Sequence, residues 1–220
     1  MSSYLELCQE FRSKAGIAGT GPTTVLAQSG EYLRLVTWIK NAWIKIQNYP
    51  RDWKWMWREY SIAGLASTSD YVLTDVEKIH EDTFSYYLTA TGTSARQKLK
   101  YINWKRYTDS YSTVVASEAS PALVTRKPNG NLKLWPTPDA AYTIDFEYQK
   151  TPQILAANAD EPEMPAEYHE AILYLALVDH GGFEEASEVY GFAANQYSQY
   201  FKSLLLKQEL RRAPLQVRVE

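Results

Sequence analysis

Apolar residues recur at helical spacing toward both ends of this 220-residue chain and at strand spacing through its middle. Tyr32, Val36, Ile39, Trp43 and Ile46 step by four and three, which lays one apolar stripe along a helix that starts near Ser29 and is closed by Pro50. Ahead of it, Ser3-Tyr4-Leu5-Glu6 is a capping box, in which two side chains satisfy orphan backbone donors of the first turn. That first helix is expected to stop near Gly16, where a Gly/Thr/Pro-rich loop begins. Toward the other end, Pro165 suits the first position of a helix running to Gly181-Gly182, whose 172–178 section is apolar nearly all round. A last helix is predicted from Phe183, with Ala186, Tyr190, Ala193, Tyr197, Phe201 and Leu204 as its stripe and Ala213-Pro214 as its stop. Glu184, Glu185 and Glu188 at its start and Lys207, Arg211 and Arg212 at its end match the helix dipole.

Between these helices the period changes. Trp53, Trp55 and Trp57 alternate with Lys54, Met56 and Arg58, which predicts an extended segment showing a Trp face; a short helix would also bring Trp53 and Trp57 together. Tyr71-Val72-Leu73 predicts a strand, 75–80 a turn of helix, 83–89 a strand with Phe84, Tyr86 and Leu88 on one face, and 94–107 a helix. Asn129-Gly130 between the strand-like runs 122–127 and 131–135 predicts a hairpin. Tyr142, Ile144, Phe146 and Tyr148 then alternate with Thr143, Asp145, Glu147 and Gln149, a half-buried strand expected to complete a three-stranded antiparallel meander. The fold class is therefore α+β: a helical bundle of N- and C-terminal helices with an inserted antiparallel β-meander or hairpin region. One domain is expected over 1–220, with a helical core at about 1–50 and 165–213, a β-rich insertion at about 53–150 and a tail at 214–220.

Composition changes this picture in one respect. Apolar residues (45%) and charged residues (22%) are ordinary for a globular chain, but seven Trp and 17 Tyr bring aromatics to 14%. Such side chains suit subunit interfaces and suit a large aromatic core, and both readings stand. The candidate subunit-interface residues are Trp53, Trp55, Trp57, Tyr101, Trp104 and Arg106. A net charge of −3 and a pI near 5.7 leave no global basic footprint for nucleic acid. Even so, Lys98, Lys100, Tyr101, Trp104, Lys105, Arg106 and Tyr107 interleave cations with rings, and Lys54 and Arg58 add to them. Single-strand binders use that composition, so a nucleic-acid-binding module built on 98–107 is the alternative function, although a subunit interface explains the same residues.

Catalytic signatures are missing. The chain has no Gly-rich phosphate loop, no Cys-pair metal spacing and no Gly-x-Ser-x-Gly elbow. Cys8 stands alone among helix-spaced apolar residues, which excludes an intramolecular disulfide and predicts burial in a reducing compartment. His169 follows Asp160, Glu161, Glu163 and Glu167, but Glu167 and His169 lie two apart on a predicted helix and point to different sides. A carboxylate-dependent hydrolase using Asp160, Glu161 or Glu163 is the residual enzymatic reading; the chain is otherwise read as a non-enzyme without cofactor or metal. His80 has no partner pattern, and His180 near a helix C-terminus is expected to meet free carbonyls. No signal-peptide core occurs in the first residues, and the longest apolar run, 171–178, falls far short of the roughly 20 residues a membrane helix needs. A soluble, cytosolic chain is expected. Its last six residues, Leu215-Gln216-Val217-Arg218-Val219-Glu220, alternate as a strand added to another chain's sheet edge would; a frayed terminus is the plain alternative.

The order of these signals carries a resemblance. Gly130-Asn131-Leu132-Lys133-Leu134-Trp135-Pro136-Thr137-Pro138 followed by the 142–148 strand resembles the portal–tail adaptors of tailed bacteriophages, also called head–tail connector or head-completion proteins and including the tail tubular protein A type. Asp160-Glu161-Pro162 through Pro165, the helix carrying His169, Ala171 and Ala176, the Tyr4-Leu5 helix, Gly19 and 33–43 continue the likeness. The resemblance implies packed helices carrying a β-rich protrusion. It also implies a ring, typically of twelve copies, in the virion neck between portal and tail or nozzle, assembled in the host cytoplasm and passing duplex DNA without gripping it. In such proteins the carboxy-terminal segment engages the portal. Here that segment is 206–220, with Leu206, Arg211, Arg212, Leu215, Val217, Arg218 and Val219 as the docking residues. No catalytic residue is implied.

Overall fold

A computed structural model describes residues 2–209. In chain order they form α1 (Tyr4–Lys14), α2 (Gly30–Gln47), β1 (Trp57–Ala63), β2 (Asp70–Tyr71), β3 (Val76–Ile79), β4 (Ser85–Leu88), β5 (Gln97–Lys98), β6 (Lys100–Tyr101), α3 (Trp104–Ser110), β7 (Leu123–Arg126), β8 (Leu132–Trp135), β9 (Tyr142–Lys150), α4 (His169–Phe183) and α5 (Ser187–Gln208). Short 3₁₀ turns occupy Lys54–Met56, Thr89–Ala95 and Ala166–Tyr168. Helices at both ends with an antiparallel β region between them make this the α+β class that the patterning predicts. The described residues divide into two compact units, a helical one of 2–56 with 152–209 and a β one of Trp57–Thr151.

In the helical unit the capping box forms: Ser3 Oγ accepts from the Glu6 N–H at 3.3 Å, and the Ser3 N–H donates to the Glu6 carboxylate at 2.7 Å. The α2 stripe buries Leu35, Val36, Ile39, Ala42, Trp43 and Ile46. Tyr4 pins α1 to α2 by donating its hydroxyl to the Val36 carbonyl at 2.7 Å, and burial raises its phenol above the ordinary range. Because α4 packs against α1, α2 and α5 together, its apolar surface is covered on several sides. The last helix begins at Ser187 rather than near Phe183, since Glu185 adopts a left-handed φ of 53° and breaks the chain between α4 and α5. Along α5's stripe Ala193 and Leu204 are fully buried, while Tyr190 is half exposed.

The tryptophan triplet departs from both predictions. The 3₁₀ turn after α2 stacks Trp53 on Trp55 with ring centroids 4.5 Å apart, and Trp43 lies 6.5 Å from Trp55. Trp53 is completely buried and donates its indole N–H to the Ile46 carbonyl at 3.1 Å, whereas Trp57 leaves the turn to open β1. A tight turn, whose period is neither two nor 3.6, thus brings together the rings at i and i+2 that an extended segment would align and an α-helix would separate.

Asp160 ties the connector before α4 to α1. Its carboxylate accepts the N–H groups of Ala156 and Ala157 at 2.6 and 2.8 Å, and its carbonyl accepts from Tyr4 N at 2.7 Å. Those two backbone bonds hold its carboxyl below the ordinary carboxylate range. A depressed folded pKa means that the stabilisation is complete above the unfolded value near 4 and is lost as pH falls through the folded value. The stability difference between the parent and Asp160→Asn, measured by urea unfolding, should therefore be largest near neutral pH and shrink below about pH 4. A difference constant from neutral to strongly acidic pH would contradict this assignment.

The β unit holds two sheets. In the first, β9 is central: β1 pairs along one edge from Trp57↔Gln149 to Ala63↔Thr143, while β4 and β3 share the other edge and β5 follows β4. The second has the order β2-β8-β7-β6, with β6 parallel to β7. The predicted three-stranded meander is therefore not formed, because β9 and the β7–β8 hairpin belong to different sheets. Alternation specifies that each strand has one face to bury but not which neighbour it pairs with; both sheets supply the same apolar cluster, including Ile62, Phe84, Val124, Leu134 and Phe146. The hairpin closes with a three-residue loop, Gly130 donating to the Lys127 carbonyl at 2.9 Å, and of Asn129 and Gly130 only the glycine takes a positive φ.

Two more local expectations change. The 75–80 stretch is strand β3, not a helical turn: a register shift between Val76 and Lys78 turns both Val76 and Ile79 inward and mimics helical spacing. The 94–107 stretch is divided among a 3₁₀ turn, β5, β6 and the start of α3, whose cap Asn103 accepts from Arg106 N at 2.8 Å. Among the described residues no helix is long and apolar enough to cross a membrane.

Candidate assembly interface

The six residues expected at a subunit interface separate into two groups. Trp53 and Trp55 lie inside the helical unit, so neither has surface to offer a neighbouring copy; this corrects their assignment. The aromatic surplus as a whole is largely consumed by the cores, which bury Trp43, Phe11, Phe84, Phe146, Tyr107, Tyr148, Tyr168 and Tyr174 as well. Trp57 remains 38% exposed and donates its indole N–H to Glu147 at 3.1 Å. Arg106 is exposed, and Tyr101 and Trp104 are half-buried. Tyr101 stacks on Phe84, and Trp104 opens a run of ring contacts through Tyr107 and Tyr111 to Trp135. In the basic-aromatic stretch Tyr107 is buried and so has no surface for a partner, while Lys105 stays exposed and pairs with Asp109 at 3.0 Å.

Leu206, the first of the expected portal-docking residues, sits on α5 and is 70% exposed. Arg211, Arg212, Leu215, Val217, Arg218 and Val219 lie outside the described residues. Two surface features of the β unit escaped the sequence reading. One is an open recess of about 460 Å³ on the polar face of the first sheet, lined by Glu59, Ser61, Tyr87, Arg96, Asp145 and Glu147 among others. There Arg96 and Ser61 both hydrogen-bond Asp145, at 2.6 and 2.7 Å. The alternation of Asp145 and Glu147 and the strand at 83–89 were visible; the pairing that sets both in one sheet with β1 was not. The other is Val114-Val115, a pair of β-branched residues in the loop after α3, the second of them almost wholly in solvent.

Titratable groups in the helical unit serve packing. Cys8 is buried, and burial pushes its thiol up to about 12, so it stays protonated. His169 uses both nitrogens, Nε2 with the Met164 carbonyl at 3.0 Å and Nδ1 accepting from Ser2 N at 3.3 Å, and burial lowers its pKa. His180 does not meet the free carbonyls expected for it. Its ring packs edge-on against Phe11 and Trp38, with centroids 5.6 and 5.1 Å away, because α4 turns that face toward the core. Among the described residues, no three His, Cys, Asp or Glu side chains group so as to hold a metal ion.

The family model described as SU10 adaptor protein matches residues 2–219. The chain belongs to the SU10 adaptor protein family. Comparison with curated proteins finds no match. Membership over nearly the whole chain agrees with the phage head–tail adaptor resemblance drawn from its turns and strands, and it makes the chain a phage structural adaptor. For an SU10 adaptor the surfaces that bear on function are those that meet other proteins, which directs attention to the exposed groups named above rather than to a cleft.

Proposed function

We propose that this SU10 adaptor assembles into a ring of about twelve copies that joins the portal to the tail or nozzle in the virion neck and lets duplex DNA pass through its channel. The observation that carries the reading is the family match over 2–219. Twelve is the number implied by the resemblance to portal–tail adaptors. The protein acts as a structural part rather than an enzyme, made in the host cytoplasm. Neighbouring copies meet through Trp57, Tyr101, Trp104 and Arg106, which keep exposed surface. A ring makes head-to-tail contacts, so each copy needs two different complementary faces. The portal is engaged by Leu206 on α5 together with Arg211, Arg212, Leu215, Val217, Arg218 and Val219.

Particles produced without this chain should package DNA yet fail to join tails or to retain the genome. Electron microscopy of the neck and a titre of infectious particles read both outcomes. Complete, infectious particles lacking the protein would refute the assignment.

A further inference from the structure

We propose that the loop segment 113–118 of one copy adds a strand to the open edge of β1 in the next copy around the ring. The idea rests on the ring reading and specifies one of its two faces. Strand β1 pairs all seven of its residues with β9 on one side, and among the described residues no strand pairs with its other edge. Alternate residues of such a strand aim their N–H and C=O groups outward, which makes a long exposed edge a template for another strand.

The other edges of the unit are guarded. At β3 the Arg126 guanidinium donates to the Val76 and Glu77 carbonyls at 2.8 and 2.9 Å, covering them. Strands β2, β5 and β6 are two residues long. By contrast β1 has no proline, and its register with β9 runs without a bulge. Arg58 donates to the Trp57 carbonyl at the start of the strand, at 2.8 Å.

The segment that fits this edge lies in the same unit. Val115 is 99% exposed and Val114 50% exposed. Two adjacent β-branched residues in solvent are costly alone and well suited to a strand. The backbone around them is bracketed by bonds from Val114 N to the Tyr111 carbonyl and from Ala119 N to the Thr137 carbonyl. Among the described residues, the amides of Val115, Ala116, Ser117 and Glu118 bond to no other backbone. An arm and an edge on every copy are two different, mutually complementary surfaces, as a head-to-tail ring requires. Main-chain hydrogen bonds would supply the affinity.

The test uses native particles assembled from two differently tagged full-length chains, one carrying Val115→Cys and the other a single cysteine at Glu59, Ser61 or Ala63. Only contacts between copies can link the two tags, and the native thiol of Cys8 is buried. Oxidation should produce a mixed-tag dimer for at least one β1 position, at least tenfold above a control pairing Val115→Cys with Lys105→Cys. In parallel, Val115→Asp should reduce incorporation into particles at least tenfold while leaving the circular dichroism of the isolated chain unchanged, and Val115→Ile should incorporate fully. No mixed-tag dimer at any β1 position, or full incorporation of Val115→Asp, with the parent chain present in particles, would overturn the proposal. Absence of the parent chain from particles would instead refute the ring reading itself.

Discussion

Trp53→Ala should unfold the helical unit at denaturant concentrations well below those the parent tolerates. The indole has no exposed surface, stacks on Trp55 and lies within 6.3 Å, ring centre to ring centre, of both Tyr49 and Phe201. It therefore ties the end of α2, the turn after it and α5 into one aromatic wall. Truncating a buried Trp to Ala removes transfer energy and leaves a cavity, about 3–5 kcal/mol together. The lost bond to Ile46 adds little, because that carbonyl also accepts from Tyr49 N at 3.3 Å. Domains are stable by only about 5–15 kcal/mol, so the effect would be a large share of the total. Trp53→Phe keeps a ring in the stack and should cost about 1–2 kcal/mol. Urea unfolding followed by near-ultraviolet circular dichroism separates the cases. A loss below about 1 kcal/mol for Trp53→Ala would mean that this indole is not the wall the geometry describes.

Adjacent glycines in α4 should respond with opposite signs. A Cβ at Gly181 would stand 2.8 Å from Tyr190 N and 3.0 Å from its Cα, so the backbone of α5 itself would have to move. Overpacking of this kind costs about 1–3 kcal/mol, and a backbone obstacle places Gly181→Ala toward the upper end even after helix propensity returns up to about 1 kcal/mol. At Gly182 the same Cβ meets nothing within 4 Å and the site is exposed. Gly182→Ala should leave stability unchanged or raise it by up to about 1 kcal/mol. Thermal unfolding of the two variants side by side checks the pair, and equal shifts would show that α4 and α5 are not in the close approach described. The glycines are indistinguishable in sequence; only the crossing of the helices makes one of them obligatory.

The candidate interface was legible in part. Trp57, Trp104 and Arg106 keep surface, while Trp53 and Trp55, carrying the same alternating signal, were claimed by the core. Alternation reports that one face of a segment is covered, not whether the cover comes from the same chain or from another. Val114 and Val115 gave no periodic signal, because an exposed loop imposes no period. Their only mark was a β-branched pair among serines and threonines.

What could be read directly from the order of residues was local: the Ser3/Glu6 cap, the α2 stripe, the strand alternation from Tyr142 to Tyr148, the turn at Gly130 and hence the α+β class. Each depends on groups a few residues apart, whose chemistry is the same whatever the rest of the chain does. Pairing of β9 with β1 instead of the hairpin, the inward turn of Val76 and Ile79 through a bulge, the stacking of Trp53 on Trp55 and the close approach at Gly181 all join groups from distant positions or from irregular backbone. Several arrangements satisfy the same local pattern there. The folded chain takes the one in which the four long helices bury their apolar faces in one cluster and the two sheets bury theirs in another, with backbone groups paired.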